Sequence, residues 1–316
     1  MSNALQIAHV LDPWAKINTR LDSSIRIAWA LQGRAHINWY VQAEDLIWHE
    51  HQLQARARSF TMSEDLTQIS FQEERVLDLS QMDALFLRKD PPFSTDYLHY
   101  LHLLALTPER PLCVNEPDAI RAHNEKMSIL EYPQWIPRTA IARKASDVKP
   151  LARQMGGRVV LKPLYLFGGK NILVADVQDR NFDALVELVA EHDTQYIMIQ
   201  EFLEDISRGD VRVLALDGKM LGSFTRIAGP ESYRSNVAAG GKWHPYPLNP
   251  QEQAIVNQVI SDCARKGLYF VGLDLIGGKL TEINVTSPTG LPALDELTNF
   301  RHEVTIAEWV EQRVNR

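Results

Sequence analysis

Two residues near the end of the chain have the type and spacing of metal ligands. Glu282 and Asn284 lie two positions apart in a run that otherwise has the alternation of a β-strand. Side chains at positions i and i+2 leave the same face of a strand, so both oxygens would point into one space. Asp274 follows the preceding apolar run, and Gly277-Gly278 separates the two runs as a hairpin turn would. Three oxygen ligands suit a hard cation such as Mg²⁺ that is shared with phosphates.

The length of the hairpin loop decides whether these three side chains converge. A two-residue loop would pair Asp274 with Thr281 and send Glu282 to the opposite face of the hairpin. A three-residue loop that includes Lys279 would place Asp274 opposite Glu282. The metal-site hypothesis therefore predicts the three-residue loop, and the alternative interpretation is a solvated sheet face with scattered carboxylates.

A lysine and a glycine pair in the middle of the chain indicate phosphate binding. Lys162 interrupts an apolar strand, where a lysine must be paired or must face a cleft. Gly168 and Gly169 follow shortly after, and a glycine turn lets backbone N–H groups come close to phosphates.

Arginines at strand ends extend this pattern. Arg88 leaves a strand at Ala84–Leu87 and is followed by two prolines, which exclude helix and ladder pairing there. Asp210 and Arg212 share one face of a later strand, and Arg226 ends the next one. Arg234 lies in a glycine-containing stretch at 228–242 that has few apolar residues and is predicted to form a mobile lid.

Strands and helices alternate along the chain, which predicts an α/β fold. Short connections in the first 120 or so residues indicate an open, mostly parallel sheet, whose ligands would gather at the carboxyl ends of the strands. One of these strands is predicted at Ile37–Val41. Farther along, Asn249 and Pro250 predict the N-cap and first residue of a long amphipathic helix that ends at Gly267.

Composition narrows the classes of function. The chain has 316 residues, 45% of them hydrophobic and 23% charged, as is usual for globular proteins. A formal net charge of −7 argues against nucleic acid or an anionic membrane as partner. No apolar run approaches the roughly 20 residues of a membrane span, and no signal peptide is evident. The two cysteines, far apart, have no metal-type spacing, so a cytoplasmic location is expected.

These residues resemble those of a known family, the bacterial glutathione synthetases of the ATP-grasp ligase superfamily. The resemblance runs from Asp12 to about Pro288. The motifs that carry it are Asp22-Ser-Ser24, Arg88-Lys-Asp-Pro-Pro-Phe93, Asn124-Glu-Lys126, Leu161-Lys-Pro163, Gly209-Asp-Val-Arg212, Asn236-Val-Ala-Ala-Gly-Gly241 and Leu280-Thr-Glu-Ile-Asn-Val-Thr-Ser-Pro-Thr289.

The resemblance implies an ATP-grasp fold with three domains. These are an N-terminal open parallel-sheet domain at 1–122, a central subdomain at 123–202 and a C-terminal subdomain at 203–316, the last two enclosing ATP. It implies ATP-dependent joining of γ-glutamylcysteine to glycine, Mg²⁺ or Mn²⁺ as the metal, and a homodimer or homotetramer.

The resemblance also implies roles for individual residues. The reacting carboxylate, the phosphates and the closed lid would be held by Arg212, Arg226 and Arg234. The nucleotide would be bound by Lys126, Lys162, Gly168, Gly169, Asp210 and an adenine hinge made of Gln200, Glu201, Phe202 and Leu203. The substrate would contact Arg88, Ser287 and Thr289. The metal would be held by Asp274, Glu282 and Asn284.

Two departures from the family pattern keep other functions open. Tyr165-Leu166-Phe167 stands where the phosphate loop is expected to be richer in glycine, and this predicts a stiffer loop with Phe167 packed on the protein. Gly290–Leu294 replaces a polar stretch. The alternatives are a related ligase that acts on another γ-glutamyl peptide or acceptor, and a catalytically silent nucleotide-binding protein.

Overall fold

Three β-sheets, each made from a successive part of the chain, form the framework of this computed structural model. The structure describes residues 4–107, 110–228 and 242–315. The sheets have seven, four and five strands. They follow the order of the three predicted domains, whose boundaries stay a prediction.

The seven-stranded sheet is formed by the N-terminal part of the chain, with its strands in the order β4-β3-β2-β1-β6-β7 and β5 paired to β3. The strands are β1 (Gln6–Leu11), β2 (Ile37–His49), β3 (Gln52–Met62), β4 (Ile69–Phe71), β5 (Arg75–Asp78), β6 (Ala84–Leu87) and β7 (Leu112–Val114). The helices are α1 (Ser23–Gly33), α2 (Thr95–Ala105) and α3 (Pro117–Ala122). Parallel strands β1 and β6 end side by side, so the residues after them meet at one edge.

The expectation of a mostly parallel sheet holds for β1, β2, β6 and β7, and it is wrong for the other strands of this sheet. Strands β3, β4 and β5 add to it in antiparallel pairs. The strand predicted at Ile37–Val41 continues to His49 and turns into β3 through Glu50 and His51. Both turn residues have positive φ, 47° and 68°, without the glycine or asparagine that would have revealed a turn.

The other two sheets are built from antiparallel pairs. The four-stranded sheet has the order β10-β9-β11-β8, with strands β8 (Thr139–Ala142), β9 (Arg158–Pro163), β10 (Leu173–Asp176) and β11 (Ile197–Glu201) and helices α4 (Ala145–Gln154) and α5 (Phe182–Val189). The five-stranded sheet has the order β14-β13-β12-β15-β16, with strands β12 (Asp210–Leu216), β13 (Lys219–Ile227), β14 (Lys242–Pro245), β15 (Phe270–Ile276) and β16 (Lys279–Asn284) and helices α6 (Pro250–Arg265), α7 (Leu291–Thr298) and α8 (His302–Val314).

The last two helices return the chain to the first domain. Ile27 and Leu31 of α1 share one buried apolar cluster with Ile306 and Val310 of α8. The N-terminal and C-terminal parts of the fold are therefore joined through a common core. None of the helices in the described ranges has the length and apolar character that crossing a bilayer requires.

Candidate active site

A cavity of about 650 Å³ lies between the four-stranded and five-stranded sheets. Most of the residues predicted for the site line it, namely Lys162, Gly168, Gly169, Gln200, Glu201, Phe202, Leu203, Asp210, Arg212, Arg226, Asp274, Glu282, Asn284, Ser287 and Thr289. Lys126 and Arg88 lie behind its wall, and Arg234 lies outside the described residues together with nearly all of the predicted lid. The cavity thus gathers side chains that are more than 120 positions apart in sequence.

The β15–β16 hairpin brings the predicted metal ligands together, by a route other than the predicted one. The loop has two residues, since Ile276 pairs with Lys279 and Leu275 with Leu280. The prediction of a three-residue loop is therefore wrong. A β-bulge follows, at which Thr281 is the extra residue, and it restores the pairing of Asp274 with Glu282. The Thr281 hydroxyl donates to the Asp274 carbonyl at 3.0 Å.

Asp274 is the centre of a buried ion-pair cluster. Nε and Nη2 of Arg212 donate to its two carboxylate oxygens at 2.6 and 3.0 Å, and Nη2 of Arg226 lies 3.0 Å from Oδ1. Arg226 also donates from Nε to Asp210 at 2.9 Å. The formal charges of these four side chains sum to zero. The arginines therefore form an oriented array of N–H donors and not a region of net positive charge.

The pKa values in this cluster follow from its geometry. Burial alone would raise the pKa of Asp274, but the guanidinium groups of Arg212 and Arg226 hold it well below its usual range. Burial opposes the charge of Arg226, and the carboxylates of Asp274 and Asp210 outweigh it, so the pKa of Arg226 is raised. Asp274 and Arg226 are therefore both charged at neutral pH.

The carboxylate oxygens of Glu282 have fewer close partners in the described residues than those of Asp274. Its Oε1 lies 3.3 Å from Nζ of Lys126, which also donates to the carbonyl of Leu166. Asn284 donates its amide to Asp274 and to the carbonyl of Gly272. Among the described residues, no three His, Cys, Asp or Glu side chains converge as a metal cage would require. A carboxylate and an amide on one strand face fit a Mg²⁺ ion that takes its other ligands from phosphates and water, while both oxygens of Asp274 are already engaged.

Lys162 reaches the cavity from β9. Its Nζ donates to Oε1 of Gln200 at 2.7 Å, and burial lowers the pKa of Lys162 to about 8. Gln200 is buried and is held in turn by Thr139 at 3.1 Å. Both Gly168 and Gly169 have positive φ, 63° and 70°, which their lack of a Cβ makes accessible. An ammonium group next to a glycine turn is a suitable site for phosphate oxygens.

Arg88 is buried against the wall of the cavity. It donates from Nε to Ser24 at 3.0 Å and from Nη2 to the carbonyl of Pro288 at 2.8 Å. Arg212 holds the next carbonyl, that of Thr289, at 2.8 Å. Two arginines from different domains thus fix the segment that contains Ser287 and Thr289.

Comparison with known proteins decides the family. The models for the prokaryotic glutathione synthetase N-terminal domain and ATP-grasp domain match residues 5–121 and 125–299. The glutathione synthetases of Vibrio vulnificus strain YJ016 and Vibrio cholerae are each 36% identical over 313 residues, which cover 98% of this chain and 98% of theirs. That of Nostoc sp. PCC 7120 is 31% identical over 325 residues, covering 98% and 99%. The chain belongs to the prokaryotic glutathione synthetase family.

Solved structures agree on the fold of this family member. The macrocyclase MdnC from Microcystis aeruginosa, bound with its precursor peptide MdnA, has a TM-score of 0.65 at 15% identity, covering 98% of this chain and 100% of that one. The ATP-grasp ligase PsnB, in complex with precursor peptide PsnA2 and AMPPNP, has a TM-score of 0.62 at 12% identity, covering 99% of both. These structures confirm the ATP-grasp fold, and the family membership confirms the assignment as an ATP-dependent ligase.

In this glutathione synthetase family member, sequence reasoning assigned no role to Glu125, which also lines the cavity. One carboxylate oxygen accepts from the backbone N–H groups of Val285 and Thr286, each at 3.0 Å, and from the Thr286 hydroxyl at 2.7 Å. Burial, and next the charge of Glu282, raise the pKa of Glu125. Glu125 thereby ties the linker before the central sheet to the segment that directly follows β16. Its place in the motif Asn124-Glu-Lys126 was the available signal.

Asp90 is a second cavity residue without a predicted role. It follows Arg88 and Lys89 after β6, and its backbone N–H donates to the Asp12 carboxylate at 2.7 Å. Burial and the nearby charge of Asp12 raise the pKa of Asp90 to about 6.

Proposed function

We propose that this ligase joins the cysteine carboxylate of γ-glutamylcysteine to the amine of glycine, with ATP as the energy source. A carboxylate oxygen attacks the terminal phosphorus of ATP, which gives an acyl phosphate and ADP. The glycine amine then attacks the acyl carbon, the phosphate leaves, and glutathione is formed. The observation that carries the proposal is the Arg212–Asp274–Arg226 cluster on the cavity wall, together with the family membership.

The side chains of the cavity suit both steps. Arg212 and Arg226 keep N–H donors in fixed directions, so they would stabilise the charge that builds up on carboxylate and phosphoryl oxygens without reorganising. Lys162 would bind a phosphate oxygen. Burial has lowered the pKa of Lys162, and the negative charge of the phosphate would oppose this effect and favour the charged lysine. Gly168 and Gly169 would offer backbone N–H groups to the phosphates. The hinge at Gln200–Leu203 would hold the adenine.

The metal would be held by Glu282 and Asn284, with Asp274 behind them. When bound, it would neutralise phosphate charge and polarise the transferred phosphoryl group. We propose Mg²⁺ in preference to Mn²⁺. Arg88 would position Ser287 and Thr289 for the peptide substrate.

Product analysis tests the proposed reaction. Purified enzyme is given ATP and Mg²⁺ with a panel of γ-glutamyl dipeptides and amino-acid acceptors, and both ADP release and the peptide product are measured. We expect glutathione from γ-glutamylcysteine and glycine as the most efficient reaction. A higher kcat/KM for another donor or acceptor would transfer the assignment to the related ligase that the departures at Tyr165–Phe167 and Gly290–Leu294 leave open.

We also propose that the protein is a cytoplasmic homodimer or homotetramer that acts on small molecules and binds neither nucleic acid nor membrane. Light scattering after size exclusion measures the oligomeric state. A monomer at micromolar concentration would contradict this part of the proposal.

A further inference from the structure

Asp90 occupies a position at which two strand ends bring carboxylates together. β1 and β6 are parallel neighbours, and Asp12 and Asp90 follow them at the same edge of the sheet. Asp90 lines the cavity beside Ser287, whose hydroxyl interacts with the Asp90 carboxylate. The site is thus built from the first domain and from the segment after β16.

Among the residues that the structure describes, no close cation compensates the charge of Asp90. Lys89 is paired with Asp12 at 3.5 Å, and Arg88 is engaged with Ser24 and the carbonyl of Pro288. Within residues 4–107, 110–228 and 242–315, no lysine, arginine or histidine nitrogen lies at salt-bridge distance from the Asp90 carboxylate. The charged groups that act most strongly on it are Asp12, Arg88 and Asp22, two of which are acidic. A cationic ligand group would relieve this imbalance.

Within the described part of the chain, the cavity therefore carries a carboxylate without an ion-pair partner on one wall and an array of guanidinium N–H donors on another. A substrate with a carboxylate at its reacting end and an ammonium at its far end matches this polarity. Resting on the proposed function, we propose that Asp90 binds the α-ammonium of the γ-glutamyl group and so selects donors that carry it.

The glycine ammonium is a poorer match for this position. A carboxylate that holds an ammonium stabilises its protonated form, and the protonated amine has no lone pair for attack on the acyl carbon. The α-ammonium of the donor takes no part in bond formation. Asp90 would therefore act as a specificity residue that touches substrate away from the reacting atoms.

A desamino donor separates this role from a structural one. Wild-type enzyme and Asp90→Asn are compared with γ-glutamylcysteine and with glutarylcysteine, which lacks only the amino group. For the wild type we expect kcat/KM to be about tenfold or more higher with γ-glutamylcysteine, the effect of a hydrogen bond to a charged group. For Asp90→Asn we expect that preference to fall close to one, with the KM values of glycine and ATP unchanged.

Asp96→Asn serves as the matched control, since Asp96 is exposed on α2. It should keep the wild-type preference. If Asp90→Asn retains the preference, or if only its KM for glycine rises, the assignment of Asp90 is overturned while the proposed function stands. If the wild type makes no glutathione from γ-glutamylcysteine, the proposed function itself fails. A lower thermal midpoint with an unchanged preference would show that Asp90 is only structural.

Discussion

Glu282 and Asp274 face each other across one hairpin, yet their surroundings give them different tasks. Asp274 is buried and both its oxygens accept from guanidinium groups. Glu282 is partly exposed, and Nζ of Lys126 lies 3.3 Å from its Oε1. Removing a partner from a buried ion pair leaves an uncompensated charge, whereas a partly exposed carboxylate can be neutralised at small cost. Stability and catalysis should therefore separate between these two positions.

We expect Glu282→Gln to lower kcat by about 100-fold or more, because it removes a metal-ligand charge while keeping the side-chain volume. Its thermal midpoint should stay close to that of the wild type. Asp274→Asn should lose activity and also about 3–5 kcal/mol of unfolding free energy, since Arg212 and Arg226 would lose their shared partner. Steady-state kinetics over a Mg²⁺ titration and urea denaturation measure the two effects.

Glu296→Gln is the control for this pair, because Glu296 is exposed on α7. It should change neither quantity. Near-wild-type turnover of Glu282→Gln at saturating Mg²⁺ would refute the metal assignment. Equal losses of stability in both variants would contradict the division of tasks.

Residue types and spacing predicted one part of the cavity, since a lysine in an apolar strand or two oxygens on one strand face imply their chemistry locally. The family resemblance supplied the adenine hinge, Ser287 and Thr289. No role was predicted for Glu125 or Asp90 in this way. Their roles depend on groups 160 and 78 positions away in the chain, which donate to Glu125 or accept from Asp90. Local pattern carries no information about such contacts.

The β15–β16 hairpin shows which part of a strand pairing can be predicted from sequence. The Gly277-Gly278 turn follows from sequence. The opposition of Asp274 to Glu282 was predicted only with a three-residue loop, and it arises instead from the bulge at Thr281, which the sequence does not reveal. Both glycines have positive φ, 55° and 73°. A Cβ on Gly277 would lie 2.6 Å from Oδ2 of Asp205, while on Gly278 it would meet nothing closer than 4.0 Å.

We expect Gly278→Ala to cost about 1 kcal/mol of unfolding free energy from left-handed backbone strain alone. Gly277→Ala should cost about twice as much, because Asp205 must also move. Thermal or urea denaturation of both variants measures the difference. Equal costs would mean that the contact with Asp205 relaxes freely.

The phosphate loop is attached to the first domain and to the linker through its backbone. The carbonyls of Leu164 and Tyr165 accept from Asn124 at 2.8 Å and from the N–H of Phe93 at 3.0 Å, and Leu166 accepts from Lys126. These contacts support an ordered loop before ATP binds. Phe167, which was expected to pack away on the protein, lines the cavity instead, with Nζ of Lys170 4.6 Å from its ring centre.

We expect Leu166→Gly to raise the KM for ATP about two- to fivefold, because glycine adds conformational freedom that binding must remove. The KM for the peptide donor should stay unchanged. Leu166→Ala restricts the backbone like leucine and should behave as the wild type does. A change in the peptide KM alone would show that the loop determines substrate specificity.

Element boundaries were predictable where local chemistry marks them. Asn249 and Pro250 open α6 as predicted, with a reciprocal bond between Asn249 and Glu252. The β2–β3 turn was missed because Glu50 and His51 reach positive φ through the pairing of the long strands around them. The pairing of β2 with β3 therefore determines the backbone conformation of this turn, although the local residue types do not favour it.

At the scale of the whole molecule, α7 and α8 connect the active-site sheet with the first domain. Asp295 of α7 accepts from the backbone N–H of His302 at 3.0 Å, and Arg301 donates to Glu303 at 2.8 Å while stacking on Trp29 of α1. Oδ2 of Asp295 and Oε2 of Glu303 are buried with no hydrogen-bond partner in the described parts of the chain. Burial, and next the neighbouring carboxyl group of Asp295, raise the pKa of Glu303.

This carboxyl pair makes global stability depend on pH. Because the pKa of Glu303 is higher in the folded than in the unfolded chain, its contribution is fully present below the ordinary glutamate pKa. It is lost as pH rises through the folded-state pKa. Glutamine mimics the protonated acid and can donate to Asp295 at any pH.

We therefore expect Glu303→Gln to increase the unfolding free energy at pH 7.5 by about 1 kcal/mol, the net value of one buried hydrogen bond. The gain should shrink towards pH 4, where Glu303 is protonated in the wild type as well. Urea denaturation of both proteins across this range measures it. Glu308→Gln on the same helix, whose partner Arg34 is 3.5 Å away at the surface, should show little change at either pH. A loss of stability of equal size at both ends of the range would mean that the two carboxyl groups do not share a proton.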